Sequence, residues 1–395
     1  MQELLDSWMA QGYFAGIPYD VVYALGMLVF GLIVVLGFIL NVSGVTTFIE
    51  RRVWARIQSR VGPNRVGPQG ILQWLVDGIK LLMKEDVIPS EADPRLFRMA
   101  PYVVVMGFVT TFVVLPFSSA LVVADMNVGV IYITAVTALI VVGILMAGWA
   151  SNNKWSLIGG IRSAAQIVSY EIPAGLSIFP IVLITGSLSM QEIIKAQSWA
   201  PHTWFVFHSP FTFVAFFILF TSALAEGNRT PFDLPEAESE LVAGFVTEYS
   251  GVRYLMFFLV EWGNLYVIGG LLTTLFLGGW QVPPVSDNVV VMNVLQFVTF
   301  FVKSYFWVLV AMWIRATLPR IRVDQLMTTC WKYLVPMSFI NLIGQAVWTL
   351  IFPHGSRLAE AALTLLGFVI VGYFFSRVAF HLRRARPQMQ WSPLS

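Results

Sequence analysis

Three carboxylates of this chain sit within or at the edge of strongly apolar sequence: Glu171, Glu226 and Glu261. Taking an ionised carboxylate out of water is costly, so an acid kept inside a membrane-type segment is by default a candidate functional group. Carboxylates that approach one another raise each other's pKa and can then exchange protons near neutral pH. Pro173 follows Glu171 by two residues. Its missing N–H must free the Ser169 carbonyl and kink the helix beside the acid, creating a polar spot that water can reach. The plainer reading of each acid is a neutral Glu hydrogen-bonded to a neighbouring helix.

Two further strings concentrate charge. AEGNRTPFDLPEAESELVAGFVTEYSG, from Ala225 to Gly251, carries Glu226, Asp233, Glu236, Glu238, Glu240 and Glu248 against Arg229, with Arg253 just beyond. In water such a cluster is a solvated face; at the mouth of a membrane bundle it can bind and release protons. ERRVWARIQSRVGPNRVGPQG, from Glu50 to Gly70, sets two Gly-Pro pairs around Asn64 and Arg65, which specifies a stiff, tight turn. Taken alone it reads as a basic juxtamembrane anchor. Lys303 lies in the middle of another apolar run, where it can pair with an acid or snorkel outward; so near the middle, pairing is the expectation.

The elements that must position these residues are membrane helices. The 395 residues are 57% hydrophobic and 12% charged, against about 25% charged in an ordinary soluble domain. Mean hydropathy is +0.75. A bilayer core requires roughly 20 apolar helical residues. Nine such segments are expected, at about 22–48, 100–121, 128–150, 164–188, 204–225, 254–277, 294–314, 334–352 and 358–380. Between the first two, apolar Ile71, Leu72, Leu75, Val76, Ile79, Leu82 and Met83 recur at helical spacing against Gln73, Asp77, Lys80 and Lys84. That pattern predicts an amphipathic helix over about 69–85 lying in the membrane interface. The expected fold is therefore all-α: one polytopic bundle over 1–395 with a single interfacial helix and no second soluble domain.

Basic residues set the orientation, because Lys and Arg of short loops stay on the cytoplasmic side. Arg51 to Arg98, Lys154, Arg162, Arg229, Arg253, Arg315 to Lys332 and the tail Arg383, Arg384 and Arg386 fall on one face, whereas the other offers Lys195 and Arg357. The N-terminus is expected outside and the C-terminus in the cytoplasm, an alternation that requires an odd number of spans.

Several chemistries are disfavoured. Cys330 is the single cysteine, too few for an iron-sulfur cluster or an internal disulfide. His202, His208, His354 and His381 fall at or beyond expected helix ends, which argues against haem. No GxxxxGK[ST] loop and no cleavable signal pattern is found, a formal charge of +2 gives no reason to expect nucleic acid, and no metal centre is expected. Trp and the other aromatics are read as interface belts and packing, not electron carriers.

The string from Glu50 to Gly70 closely resembles the loop after the first membrane helix of the complex I subunit 1 family, the quinone-site membrane component of respiratory complex I, in which ERR, ARIQ and GPNRVGPxG recur. Ala225 to Gly251 resembles that family's acidic loop between its fifth and sixth helices, and GWASNNKWSLIGGIRSAAQIVSYE, from Gly148 to Glu171, its loop into the fourth. The resemblance runs over about 22–330. It implies a membrane subunit of a proton-translocating NADH:quinone oxidoreductase in a bacterial inner membrane. By that resemblance Arg51, Arg60, Asp77, Arg162, Glu226 and Arg229 line a quinone chamber. Glu171, Glu226, Glu236, Glu238, Glu240, Glu248 and Glu261 would form a proton or coupling path. Ala138 stands where some members carry a further acid, so the path would be shorter or bridged by water. The implied substrate is ubiquinone or menaquinone, with no cofactor held by this chain. The implied partners are iron-sulfur subunits at the cytoplasmic face and antiporter-like membrane subunits. An equivalent subunit of a membrane-bound hydrogenase or of another quinone-reducing dehydrogenase is the alternative. A secondary transporter with a proton relay is disfavoured, because no internal repeat is evident.

Overall fold

The computed structural model describes residues 18–352 apart from 235–237 and 287, and beyond them residues 358, 361–367, 369, 373 and 376. Regular structure among the described residues is entirely helical. In hydrocarbon a helix satisfies its own backbone polar groups, and apolar runs of this length have no other means of crossing.

Helix α1 runs through Tyr19–Ile33, a π-turn at Val34–Ile39, and Leu40–Ile57. The amphipathic α2 is Gln73–Met83, preceded by a 3-10 turn at Pro68–Gly70. Then come α3 (Pro94–Val114), α4 (Gly129–Ala150), α5 (Lys154–Thr185), the short α6 (Met190–Lys195), α7 (Pro210–Glu226), the short α8 (Glu238–Leu241), α9 (Gly251–Phe276) and α10 (Val289–Thr317). Helix α11 is Val323–Ile351, with a π-turn at Thr329–Leu334. Six of these, α3, α4, α5, α9, α10 and α11, are long and apolar enough to span a membrane, and α7 is a shorter apolar helix. With α1 they correspond to the first eight expected spans. The ninth lies largely outside the described residues.

Boundaries differ from the expected ones in three instructive places. Helix α1 continues past 48 to Ile57, because no breaker follows until Gly62 and Pro63 and the Arg, Glu and Gln in between are good helix formers. Glu50, Arg51 and Arg52 are thus helical, not part of a loop. Helix α5 starts at Lys154 instead of 164, since the Asn153 side chain accepts from the Trp155 N–H at 2.9 Å and so supplies an N-cap. Arg162 is therefore also helical. Helix α7 starts at Pro210, not 204: Ser209 and Thr212 form a capping box with Pro at the first helical position.

Small residues let the helices approach closely, as membrane bundles require. A Cβ on Gly148 of α4 would lie 3.2 Å from the Cα of Gly160 on α5. Gly44 of α1 receives the Trp74 ring, which pins α2 against the end of α1. At the opposite end, Phe38, Phe117 and Tyr266 meet edge to face with centroids 5.0 and 5.5 Å from Phe38, so these aromatics serve packing.

The segment after α7 folds back onto α5. Gly159 faces the backbone of Gly244 so closely that a Cβ would lie 2.7 Å from its Cα, and the Ser156 hydroxyl donates to the Phe245 carbonyl at 3.1 Å. Gly159→Ala should therefore destabilise the protein by about 1–3 kcal/mol, read as a lower folded yield in the membrane and a lower thermal midpoint. Gly78→Ala, with nothing within 4 Å of its Cβ, should leave both unchanged or slightly raised.

Candidate functional site

The basic end of the bundle gathers the charged residues in layers. At the rim, Arg51 of α1 pairs with Asp77 of α2 at 2.5 Å, and Gln73 donates to the other Asp77 oxygen at 3.0 Å. Gln73 and Asp77 are one helical turn apart, so α2 meets α1 through these two polar side chains beside Trp74, while Leu75, Val76, Ile79, Leu82 and Met83 remain exposed. Arg60 stands apart, donating to Gln58 at 2.7 Å.

Below the rim lies a buried charge cluster. Arg229, only 1% exposed, places Nη1 2.9 Å from Glu261, and its guanidinium lies 4.0 Å from the centroid of the Trp262 ring. Glu50, at the same helical level as Arg51, is 2.6 Å from Arg315 of α10, whose guanidinium lies 5.0 Å from Trp54 and 5.6 Å from Trp262. Trp262 thus touches both cations. Asp233 sits among the same charges, and burial, then the nearby Glu261, pushes its carboxyl above the usual range despite Arg315 and Arg229. Sequence reasoning missed Glu50 and Arg315 as members of the site, and had Asp233 only as one acid of the loop, not as part of this buried cluster. The ERR string reads as three loop charges until the helix is seen to turn Glu50 inward, whereas Arg315 looks like one more basic residue at a span end.

Neutral side chains hold the turn out of α7. Gln166 of α5, buried, donates to the carbonyls of Ala225 at 2.7 Å and Phe232 at 2.6 Å. A single side chain therefore closes the loop that carries Arg229. Further along, Asn153 donates to Glu248 at 2.6 Å, and Arg162 contacts Glu240 at 2.7 Å with Arg320 at 3.4 Å from the same carboxylate. The hydrogen bond from Arg162, reinforced by the charges of Arg162, Arg320 and Arg322, holds the Glu240 carboxyl below its ordinary range. Glu236 lies outside the described residues, as does the side chain of Glu238.

Beneath the cluster, two cavities continue into the apolar bundle. A small one, about 50 Å³, is lined by Asn228, Tyr254 and Glu261 among others; a larger one, about 420 Å³, lies between α4, α5, α7 and α9 and is lined by Thr134, Thr137, Ala138 and Glu171. Glu226, Asn264 and Ile140 line both. Glu171 and Glu226 thus face one cavity, Glu226 and Glu261 the other. Ala138 is one of the α4 residues that line the larger cavity. As Pro173 requires, the Ser169 carbonyl finds another donor, the Cys330 thiol at 3.0 Å.

The expectation that Lys303 pairs with an acid is corrected. Its ammonium donates to the carbonyls of Leu277 and Gly279 at 2.9 and 3.2 Å and lies 4.7 Å from the Trp204 ring centroid. The free carbonyls at the end of α9 attract a cation as an acid would. Among the described residues there is no group of three His, Cys, Asp or Glu placed to hold a metal.

Known proteins are similar to this chain over most of its length. The family described as NADH dehydrogenase matches residues 30–346. The chain is 48% identical to the H subunit of NADH-quinone oxidoreductase from Anaeromyxobacter dehalogenans, over 95% of this chain and 93% of that protein. It is 45% identical to the H subunit from Chlorobium luteolum, covering 83% and 91%, and 42% identical to that from Phocaeicola vulgatus, covering 86% and 95%.

The clamp at Glu240 gives a testable consequence. A carboxylate with a lowered pKa stabilises the folded loop above its unfolded pKa and loses that contribution as pH falls through the lowered value. Arg162→Gln should speed backbone hydrogen exchange over residues 240–246 at neutral pH, by no more than about 1 kcal/mol of local stability because the pair is exposed. The native protein should converge on the variant as the solution is acidified.

Proposed function

This chain belongs to the NADH dehydrogenase family whose members are the H subunits of NADH-quinone oxidoreductase, and from that premise we propose that it forms much of the quinone chamber and couples quinone reduction to proton translocation. It is a multi-pass membrane component of a multi-subunit oxidoreductase. The observation that carries the reading is the continuity of polar groups from the rim pair Arg51–Asp77, through the buried Glu50–Arg315 and Arg229–Glu261 pairs, to the cavity acids Glu226 and Glu171.

The chemistry divides along that line. A quinone head needs a few polar contacts and its isoprenoid tail needs apolar surroundings. The polar face of α2 meets Arg51 of α1, while its apolar face is left for lipid and tail. Arg51 and Asp77 at the rim, Arg229 and Glu226 below it, and Arg60 and Arg162, both more exposed than Arg229, form the chamber in this reading. Electrons come from an iron-sulfur cluster on a soluble partner docked at the cytoplasmic face, and the substrate is ubiquinone or menaquinone. Reduction consumes protons and changes the charge in the chamber. Arg229 responds by strengthening or loosening its hold on Glu261, which alters the affinity of Glu261, and then of Glu226 and Glu171, for a proton. The acidic loop, with Glu236, Glu238, Glu240 and Glu248, supplies protons from the cytoplasmic side. Antiporter-like partner subunits receive the proton or the displacement. In this reading the N-terminus lies outside and the C-terminus in the cytoplasm of a bacterial inner membrane, which the concentration of Lys and Arg in one set of loops supports.

Glu226→Gln and Glu261→Gln in the assembled complex should each cut quinone-linked proton pumping by about tenfold or more. NADH oxidation by ferricyanide, which bypasses the chamber, should stay unchanged. Native pumping in both variants would contradict the proposal.

A further inference from the structure

Along residues 260–270 of α9 every residue is buried except two, Glu261 and Asn264. They are spaced i, i+3, so they lie on one face one turn apart. That face is the one that opens on the cavities: Glu261 lines the smaller, and Asn264 lines both. Besides Asn264, the residues common to both cavities are Glu226 and the apolar Ile140. The boundary between the Glu261-lined cavity and the larger, Glu171-lined one is therefore formed by one acid, one amide and one hydrocarbon side chain.

We infer that Asn264 is a positioning residue for proton movement between Glu261 and Glu226, holding with its amide the water that passes the proton. The inference rests on the coupling role proposed above. An amide neither takes nor loses a proton at accessible pH, but it offers donors and an acceptor together, and can orient a water whichever carboxyl is protonated. A water at such a place needs several polar partners to persist, and the two carboxylates alone would leave it under-coordinated beside Ile140. The step balances: the Glu261 carboxyl gives its proton to the water, the water gives another to the Glu226 carboxylate, and Asn264 ends as it began. A purely structural Asn264 would have its partners on neighbouring helices and would be buried like the residues around it.

Asn264→Val and Asn264→Thr separate these roles, because the two replacements have nearly the same shape and differ by a hydroxyl. In membrane vesicles carrying the complete complex, Asn264→Val should lower NADH-driven proton pumping by roughly tenfold and enlarge its solvent deuterium isotope effect. Asn264→Thr should keep most of the native rate, and both should oxidise NADH with ferricyanide at the native rate. If this pair does not assemble, Asn264→Leu and Asn264→Gln, of larger and again similar size, carry the same expectation. Equal rates in the apolar and polar members of a pair would overturn the inference. Glu226→Gln and Glu261→Gln, measured beside them, distinguish the two levels: if both acids are dispensable the coupling role itself fails, whereas if both are required and the apolar Asn264 variant pumps normally, only the role of Asn264 fails.

Discussion

A guanidinium cannot be deprotonated in a protein, so once it is removed from water the surroundings must supply its counter-charge. Arg229 is almost completely enclosed, and its surroundings consist of Glu261, the face of Trp262 and a turn closed by Gln166. Removing one member of such a pair strands the other, at a cost of about 3–5 kcal/mol. The positions of α7, α9 and the following loop are therefore coupled through one cation. Arg315 repeats the arrangement on the far side of Trp262 with Glu50 as its partner. Two cations, two acids and a shared indole then hold α1, α7, α9 and α10 together at the end where the rim and the cavities meet.

The same pairing of acids with cations and amides recurs along the acidic loop. Seen as sequence, six carboxylates in a short stretch should repel one another. Four of them, among the described residues, are divided: Glu226 faces the cavities, Asp233 joins the buried cluster, Glu240 is clamped by Arg162 and Arg320, and Glu248 is held by Asn153. Their environments differ in direction, with Asp233 pushed towards the neutral form and Glu240 towards the charged one. One loop thus holds a carboxyl inclined to keep its proton in the buried cluster and another inclined to lose it at the exposed clamp.

The bundle was legible because a hydrocarbon solvent leaves the chain few alternatives: runs of apolar residues must become helices, and the amphipathic period of 71–83 must lie at an interface. Glu171, Glu226 and Glu261 were legible for the same reason, as charges where charges are costly. What sequence spacing did not convey was direction. Glu50 and Arg51 are neighbours, yet on a continuing helix one turns into the core towards Arg315 and the other outward towards Asp77. Nor does spacing convey partners distant in the chain: Arg315 and Glu50 are separated by 265 positions, and only packing unites them. Lys303 shows the converse, since backbone carbonyls, invisible in any residue pattern, took the place of the expected acid. Gln166, an unremarked polar residue in an apolar helix, proved to hold the turn on which Arg229 depends.

Coupling of the proposed kind requires that a change of state in the chamber reach the buried carboxyls through Arg229. Reaction-induced infrared difference spectroscopy on the membrane-embedded complex follows carboxyl protonation as quinone is reduced. The expected result is a protonated-carboxyl band that changes on reduction and is displaced or lost in Arg229→Lys, where the planar fork facing Glu261 is gone. A carboxyl region that stays silent during reduction in the native complex, or responds identically in the variant, would contradict it.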